Sequence, residues 1–184
     1  IAGVYAIGDC AQQTEVTGLR RPIEAVWYTG RMMGETLAQT ICGNKTAYKP
    51  GHWFNSAKFF EVEYQTYGWV NTDKRKQEHE QHFHWQHPHE PIAITAAYHK
   101  ETNQLLGVNV FGIRLRHAVL DAWLSQHKSL DYCLAHWADA LFDPEFSNSH
   151  QKDLLNHYNT VFQKALKPVK KSWTRIFNPF STKK

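Results

Sequence analysis

The chain has 184 residues, 42% of them hydrophobic and 14% aromatic, enough for one ordinary domain with a buried core plus a fragment or tail. No run approaches ~20 uninterrupted apolar residues, which excludes a membrane-spanning helix. Lysine and arginine exceed acids by four; seven of the 21 basic residues, and no acid, lie in 164–184, so the net positive charge belongs to the C-terminal tail.

The first element is an apolar run, Val4-Tyr5-Ala6-Ile7, that stops at Gly8-Asp9-Cys10-Ala11. It reads as a buried strand ending at a ligand-facing edge. It starts at Ile1 without an initiator Met, so the reading expects a larger protein upstream. Next, Arg20-Arg21-Pro22-Ile23-Glu24-Ala25-Val26-Trp27 leads into a helical pattern reaching Cys42. Ile23, Val26, Trp27, Gly30, Gly34, Leu37, Ala38 and Ile41 fall on one face. Pro22 suits the first turn and Gly43 the C′ position. Gly30 and Gly34, one turn apart, predict close packing there. The start of this helix, with free N–H groups and a positive dipole end, favours an electron-rich ligand atom.

These residues carry a resemblance. Val4–Ala11, Arg21-Pro22-Ile23-Glu24-Ala25 and Gly30-Arg31-Met32-Met33-Gly34 resemble the second FAD-binding signature of the pyridine nucleotide–disulfide oxidoreductase superfamily. Tyr48 and Trp53-Phe54-Asn55-Ser56 extend the likeness toward its ferredoxin reductase and apoptosis-inducing-factor branch, which has Phe-Trp-Ser where this chain has Trp-Phe-Asn-Ser. The resemblance covers the first third of the chain. It implies that Gly8 and Asp9 meet the ribityl or pyrophosphate part of FAD and that the backbone of Ile23, Glu24 and Ala25 faces the flavin pyrimidine edge. For Glu24 a second reading stands beside it, a solvated first-turn acid complementing the helix dipole.

The remainder predicts a second unit. Residues 44–58 read as a connector. Strand-like segments follow at 60–68, 80–87, 91–98 and 105–113, the last two as an antiparallel hairpin around Lys100–Gln104. Helical patterns then run from Arg114 to Gln126, from the N-cap Ser129 to Asp139, and from Ser147 to Ala165. The fold class expected is α+β: the remnant of an FAD-binding α/β domain (a strand plus a long helix), then an antiparallel sheet with C-terminal helices. The expected divisions are 1–43, 44–58, 59–165 and a basic tail at 166–184.

Several groups of reactive residues compete for attention. Cys10, Cys42 and Cys133 form no C-x-x-C pair, which points to a reducing compartment; Cys10 reads as a small buried residue beside the strand end. His79, His82, His84, His87 and His89 read as an exposed histidine-rich strand face rather than a metal site, so no metal ligand is assigned. Arg114, Arg116, His117 and Asp121 read as a stitch between strand and helix, or as a polar site. In the tail, Trp173, Ile176, Phe177 and Phe180 alternate with basic residues, a composition that suits either solubilisation or an anionic membrane surface. Nothing else supports nucleic-acid binding. No G-x-G-x-x-G occurs, so this chain alone is expected to hold FAD weakly and to lack the NAD(P)H site.

By resemblance, the function expected is that of the C-terminal part of a flavoprotein oxidoreductase. It would pass electrons from NAD(P)H through FAD to an unidentified acceptor, as a cytoplasmic homodimer peripheral to the inner membrane face. The alternative is a non-enzymatic dimerisation or membrane-docking module that keeps a flavin-domain remnant.

Overall fold

The computed structural model describes residues 3–16, 18–143, 145 and 148–169. Its centre is a five-stranded sheet: β1 (Phe54–Phe59), β2 (Val62–Gly68), β3 (Glu80–Gln86), β4 (Ala93–His99) and β5 (Leu105–Phe111). The spatial order is β1-β2-β5-β4-β3, and every neighbouring pair is antiparallel. Five helices complete the described residues: α1 (Trp27–Ile41) precedes the sheet, and α2 (His117–Ser125), α3 (Leu130–Ala135), α4 (Trp137–Ala140) and α5 (Gln151–Phe162) follow it. The α+β class expected from the pattern is the one observed.

Alternation sets the faces. In β3, Phe83 and Trp85 turn inward and are buried, while His84 and Gln86 turn outward. The same inward face continues through Ile94, Ala96 and Tyr98 of β4 and Val108 and Val110 of β5. Helices α2 to α5 cover it with Leu120, Leu130, Leu134, Trp137, Leu154 and Tyr158, forming one hydrophobic cluster. The β4–β5 hairpin forms as the sequence predicts, with Ile94 opposite Val110.

Ser129 caps α3 by accepting from Tyr132 N at 3.2 Å. The expected run to Asp139 is broken at His136 into α3 and α4. Gln151 explains the break: its Nε2 donates to the carbonyls of Leu134 (3.1 Å) and Ala135 (2.9 Å), satisfying acceptors that the end of α3 leaves open. Helix α5 is shorter than the 147–165 pattern and ends at Gln163, whose backbone is left-handed.

Three expectations are corrected. Residues 4–7 are not a buried strand: no described strand pairs with them, and Val4 is 67% exposed. A strand is stable through its ladder neighbours, and the five strands here pair only with one another. The helix begins at Trp27 rather than Pro22, and its apolar stripe is not all core. Thr29 and Met33 are buried, whereas Trp27 and Ile41 face out. What packs on Gly30 and Gly34 is the Ile7-Gly8 segment: a Cβ on Gly30 would stand 3.6 Å from Gly8 Cα. Finally, β1 begins at Phe54, inside the segment read as connector. Its register is set by β2, Phe54 facing Tyr67 and Ala57 facing Tyr64. The tail from Lys170 onward lies outside the described residues, and no described helix is long and apolar enough to cross a membrane.

Candidate functional site

A cleft of about 700 Å³ opens between the segment leading into α1 and the loop after β2. One lip is Ile23-Glu24-Ala25-Val26. The other is Trp69-Val70-Asn71-Thr72 with Arg75 and Gln77, and Trp53 stands between them.

The first lip is held by an ion pair. Arg20 Nη1 donates to Glu24 Oε1 at 2.6 Å and to Oε2 at 2.7 Å, and both side chains are almost fully buried. Arg20 Nη2 also donates to the carbonyls of Pro50 and Gly51, each at 3.1 Å, and its guanidinium lies 5.7 Å from the Trp53 ring centre. The stretch 20–24 is thereby fastened to the entry of β1. Glu24 is only 4% exposed and lies outside the helix, so it is not a solvated first-turn acid. Its carboxylate serves Arg20, which leaves its backbone at the lip. Helix α1 then starts at Trp27, with Val26 at its N-cap position, no side-chain cap and no acid in its first turn, so its positive end is not neutralised within its own first turn.

The second lip is delivered by two glycines. Gly68 has φ +64° and donates to Trp53 O at 2.7 Å; a Cβ there would collide with Leu106 O. On Gly107, a Cβ would stand 2.5 Å from Trp69 N and O. The Trp69 backbone thus crosses β5 where only glycine fits, its N–H donating to Leu106 O at 3.0 Å. This brings the Trp69 ring to 5.7 Å from that of Trp53, stacked at 13°.

Beyond Trp69 the loop is organised by Glu80, 3% exposed. Its carboxylate accepts from Asn71 N (3.1 Å), Asn71 Nδ2 (2.7 Å), Gln77 N (3.3 Å) and His82 Nε2 (2.6 Å). Burial pushes its pKa up, but these bonds outweigh burial and hold it below the usual carboxylate value.

The cleft therefore gathers Ile23, Glu24 and Ala25 from the sequence-read site residues. It does not gather Gly8 or Asp9, which sit on the turn closed by Ala11 N to Gly8 O at 3.2 Å, with Asp9 exposed. That turn lies instead beside a second pocket of about 490 Å³ between residues 5–15 and α1. Tyr48 and Gln13 line this pocket, and the buried Tyr48 hydroxyl and Gln13 Nε2 have no partner among the described residues. Burial raises the Tyr48 pKa, with the nearby Arg20 lowering it and Glu24 raising it.

The other groups resolve into packing. Cys10 is exposed, not buried, because the strand end meant to cover it does not form. Cys133 is buried, and burial pushes its thiol up to about 12. His82 and His84 share the outer face of β3, but His82 is committed to Glu80 and His84 to Thr95 Oγ1 at 2.9 Å. Among the described residues no three ligands gather for a metal ion. Arg114 pairs with Glu63 at 2.8 Å, and the His117 ring packs 4.2 Å from Phe54, a stitch between helix and sheet. The sequence reading missed Trp69, Asn71, Arg75 and Gln77. The adjoining Gly68-Trp69 was the available signal, a glycine just before a bulky ring at a strand end.

No protein-family model matches the chain, and no curated protein matches it in sequence. Solved structures do match. A NAD-dependent persulfide reductase from A. fulgidus superposes with a TM-score of 0.56 at 16% identity, over 85% of this chain and 32% of that one. A FAD-dependent pyridine nucleotide-disulphide oxidoreductase from Desulfovibrio vulgaris gives 0.54 at 13% identity, over 81% of this chain and 37% of that one. Oxidoreductases use this fold. The chain spans about a third of the length of either structure.

Proposed function

We propose that this chain is the C-terminal part of a flavoprotein oxidoreductase that passes electrons from NAD(P)H through FAD to an acceptor. The observation that carries the reading is the cleft: the three residues of the FAD-type motif, Ile23, Glu24 and Ala25, line it together with Trp53, at the uncapped start of α1. The cleft suits the edge of a planar ring. Apolar and aromatic side chains such as Ile23, Val26, Trp53 and Trp69 line it beside the polar Asn71 and Gln77, and the one acid lining it, Glu24, is neutralised by Arg20. Bound FAD would supply hydride acceptance from the nicotinamide and onward electron transfer. The chain's own part is to orient and polarise. Backbone at Ile23–Ala25 would meet the ring edge, and the positive end of α1 would favour negative charge there. The Arg20–Glu24 pair would keep this lip from moving.

Gly8 and Asp9 would reach the ribityl or pyrophosphate part of the same FAD from the adjoining turn. A homodimer, and an anionic membrane surface met by the basic tail, complete the proposed partners. Flavin content after purification tests the Asp9 assignment. Asp9→Ala in the intact protein should carry less FAD than wild type, and unchanged flavin would remove Asp9 from the site.

A further inference from the structure

The turn between β1 and β2 has two residues, Phe60 and Glu61, set between Phe59 and Val62, which face each other across the hairpin. Phe60 has φ +52°, the left-handed region that glycine or asparagine fills in such turns, and it is 96% exposed. A bulky side chain is strained in that conformation, and here no burial offsets the strain. Behind the turn the apolar surface continues. Phe59, 62% exposed, stacks on Tyr64 with ring centres 6.0 Å apart and planes at 4°, and Tyr64 meets the exposed Phe111 at 5.9 Å. Alternation puts these three rings on the sheet face opposite the core residues Tyr67, Val108 and Val110. Charge does not account for the exposure. Lys58 and Glu61 cancel, and Glu63 is held by Arg114 at 2.8 Å, so the tip is neutral.

Area and shape decide what meets this tip. A specific protein interface takes about 800 Å² from each partner, and an aromatic side chain supplies about 150–250 Å², so the few exposed side chains here fall short. A lipid surface needs no complementary shape, and its hold on a small projecting element grows with the apolar area inserted. We infer that the β1–β2 turn is a membrane-contact element, with Phe60 and Phe59 inserting at the headgroup and acyl-chain boundary of a lipid surface and Val62 beside them. Glu61, on the turn itself, keeps the insertion shallow. The strained Phe60 is then explained by the contact: the turn gives up stability to hold an aromatic ring outward. This contact needs neither flavin nor the basic tail, so it goes beyond the proposed function and stands or falls apart from it.

Co-sedimentation of the 184-residue chain with phosphatidylcholine vesicles tests it, since a neutral bilayer offers the basic tail little attraction. The chain should partition onto these vesicles, with a coefficient that changes less than about twofold between about 50 and about 500 mM salt. Phe60→Asn should weaken partitioning about five- to tenfold and at the same time raise the melting temperature by about 2–4 °C, because asparagine tolerates the left-handed backbone. Loss of binding together with a gain in stability is the outcome that misfolding cannot mimic. Ile41→Ser, which removes an equally exposed apolar side chain from α1, should partition as wild type. No partitioning at millimolar lipid would overturn the proposal and leave the tip to a protein partner. Partitioning that salt abolishes, wild-type partitioning by Phe60→Asn, or an equal loss in Ile41→Ser would overturn it as well.

Discussion

Arg20 and Glu24 stand four residues apart, 2.6 Å from nitrogen to oxygen, with side chains 5% and 2% exposed. A pair this buried is not a surface ornament. Its charges have lost their water, and each is tolerated only because the other is present. It also sits where the 20–26 segment, the entry to β1 and the cleft meet, so the lip depends on it.

Glu24→Gln should therefore destabilise the fold by about 3–5 kcal/mol, because it strands the Arg20 charge. Replacing both residues by Met should restore most of that loss, since no charge then remains buried. Urea denaturation of the two variants separates a buried pair from a surface one. A loss under about 1 kcal/mol for Glu24→Gln would contradict the burial described.

Gly107→Ala should cost about 1–3 kcal/mol or more, because the added methyl meets Trp69 backbone at 2.5 Å. The Trp53–Trp69 stack should loosen with it, seen as a change in near-ultraviolet circular dichroism. Retention of both stability and the signal would mean that Trp69 does not cross β5 as described.

Acid sensitivity should trace in part to Asp131. Tyr158 Oη donates to its Oδ1 at 2.5 Å, and Lys164 Nζ reaches both oxygens at 2.8 Å, tying α5 and the chain beyond it to α3. Burial raises the Asp131 pKa, but the bonds from Lys164, Tyr158 and Asn103 and the charge of Lys164 outweigh it, leaving it below the ordinary 3.8. The folded value is thus the lower one. The stabilisation is complete above the unfolded value and drains away as pH falls through the folded one. Glu80, held below its ordinary 4.5, acts in the same direction. Asp131→Asn should lose about 1–2 kcal/mol near neutral pH and show a flatter stability profile between about pH 5 and pH 2. A variant profile parallel to wild type would remove Asp131 from the account.

The tail should draw the chain to anionic vesicles, at about 1 kcal/mol per basic residue near the surface and less as salt rises. Co-sedimentation of the full chain against one ending at Leu166 is the comparison. Equal partitioning of the two would leave the tail without a membrane role.

What could be read from the sequence follows physical lines. Phe83 and Trp85 alternating with histidines gave β3 its faces, and Ser129 announced α3, because those signals are local. Phe54–Phe59 was opaque: Asn55, Ser56 and Lys58 carry little strand preference, and β1 exists because β2 pairs with it. Residues 4–7 misled for the converse reason, a strong strand composition with no ladder to join among the described residues. In the cleft, Ile23–Ala25 were legible as a motif. Trp69 and Arg75 were not, since it is Gly68, Gly107 and Glu80 that carry them there from a loop without periodicity.

The central claim is that this chain forms one wall of a flavin site in an oxidoreductase. Anaerobic titration of the intact protein with NADH and with NADPH, followed in the visible flavin absorbance, tests it most directly. The account predicts a purified protein that carries FAD, bleaches on addition of one of the two nicotinamides, and loses flavin when Ala25→Trp fills the cleft. An intact protein that carries no FAD and takes none up, or whose flavin neither nicotinamide reduces, would contradict it.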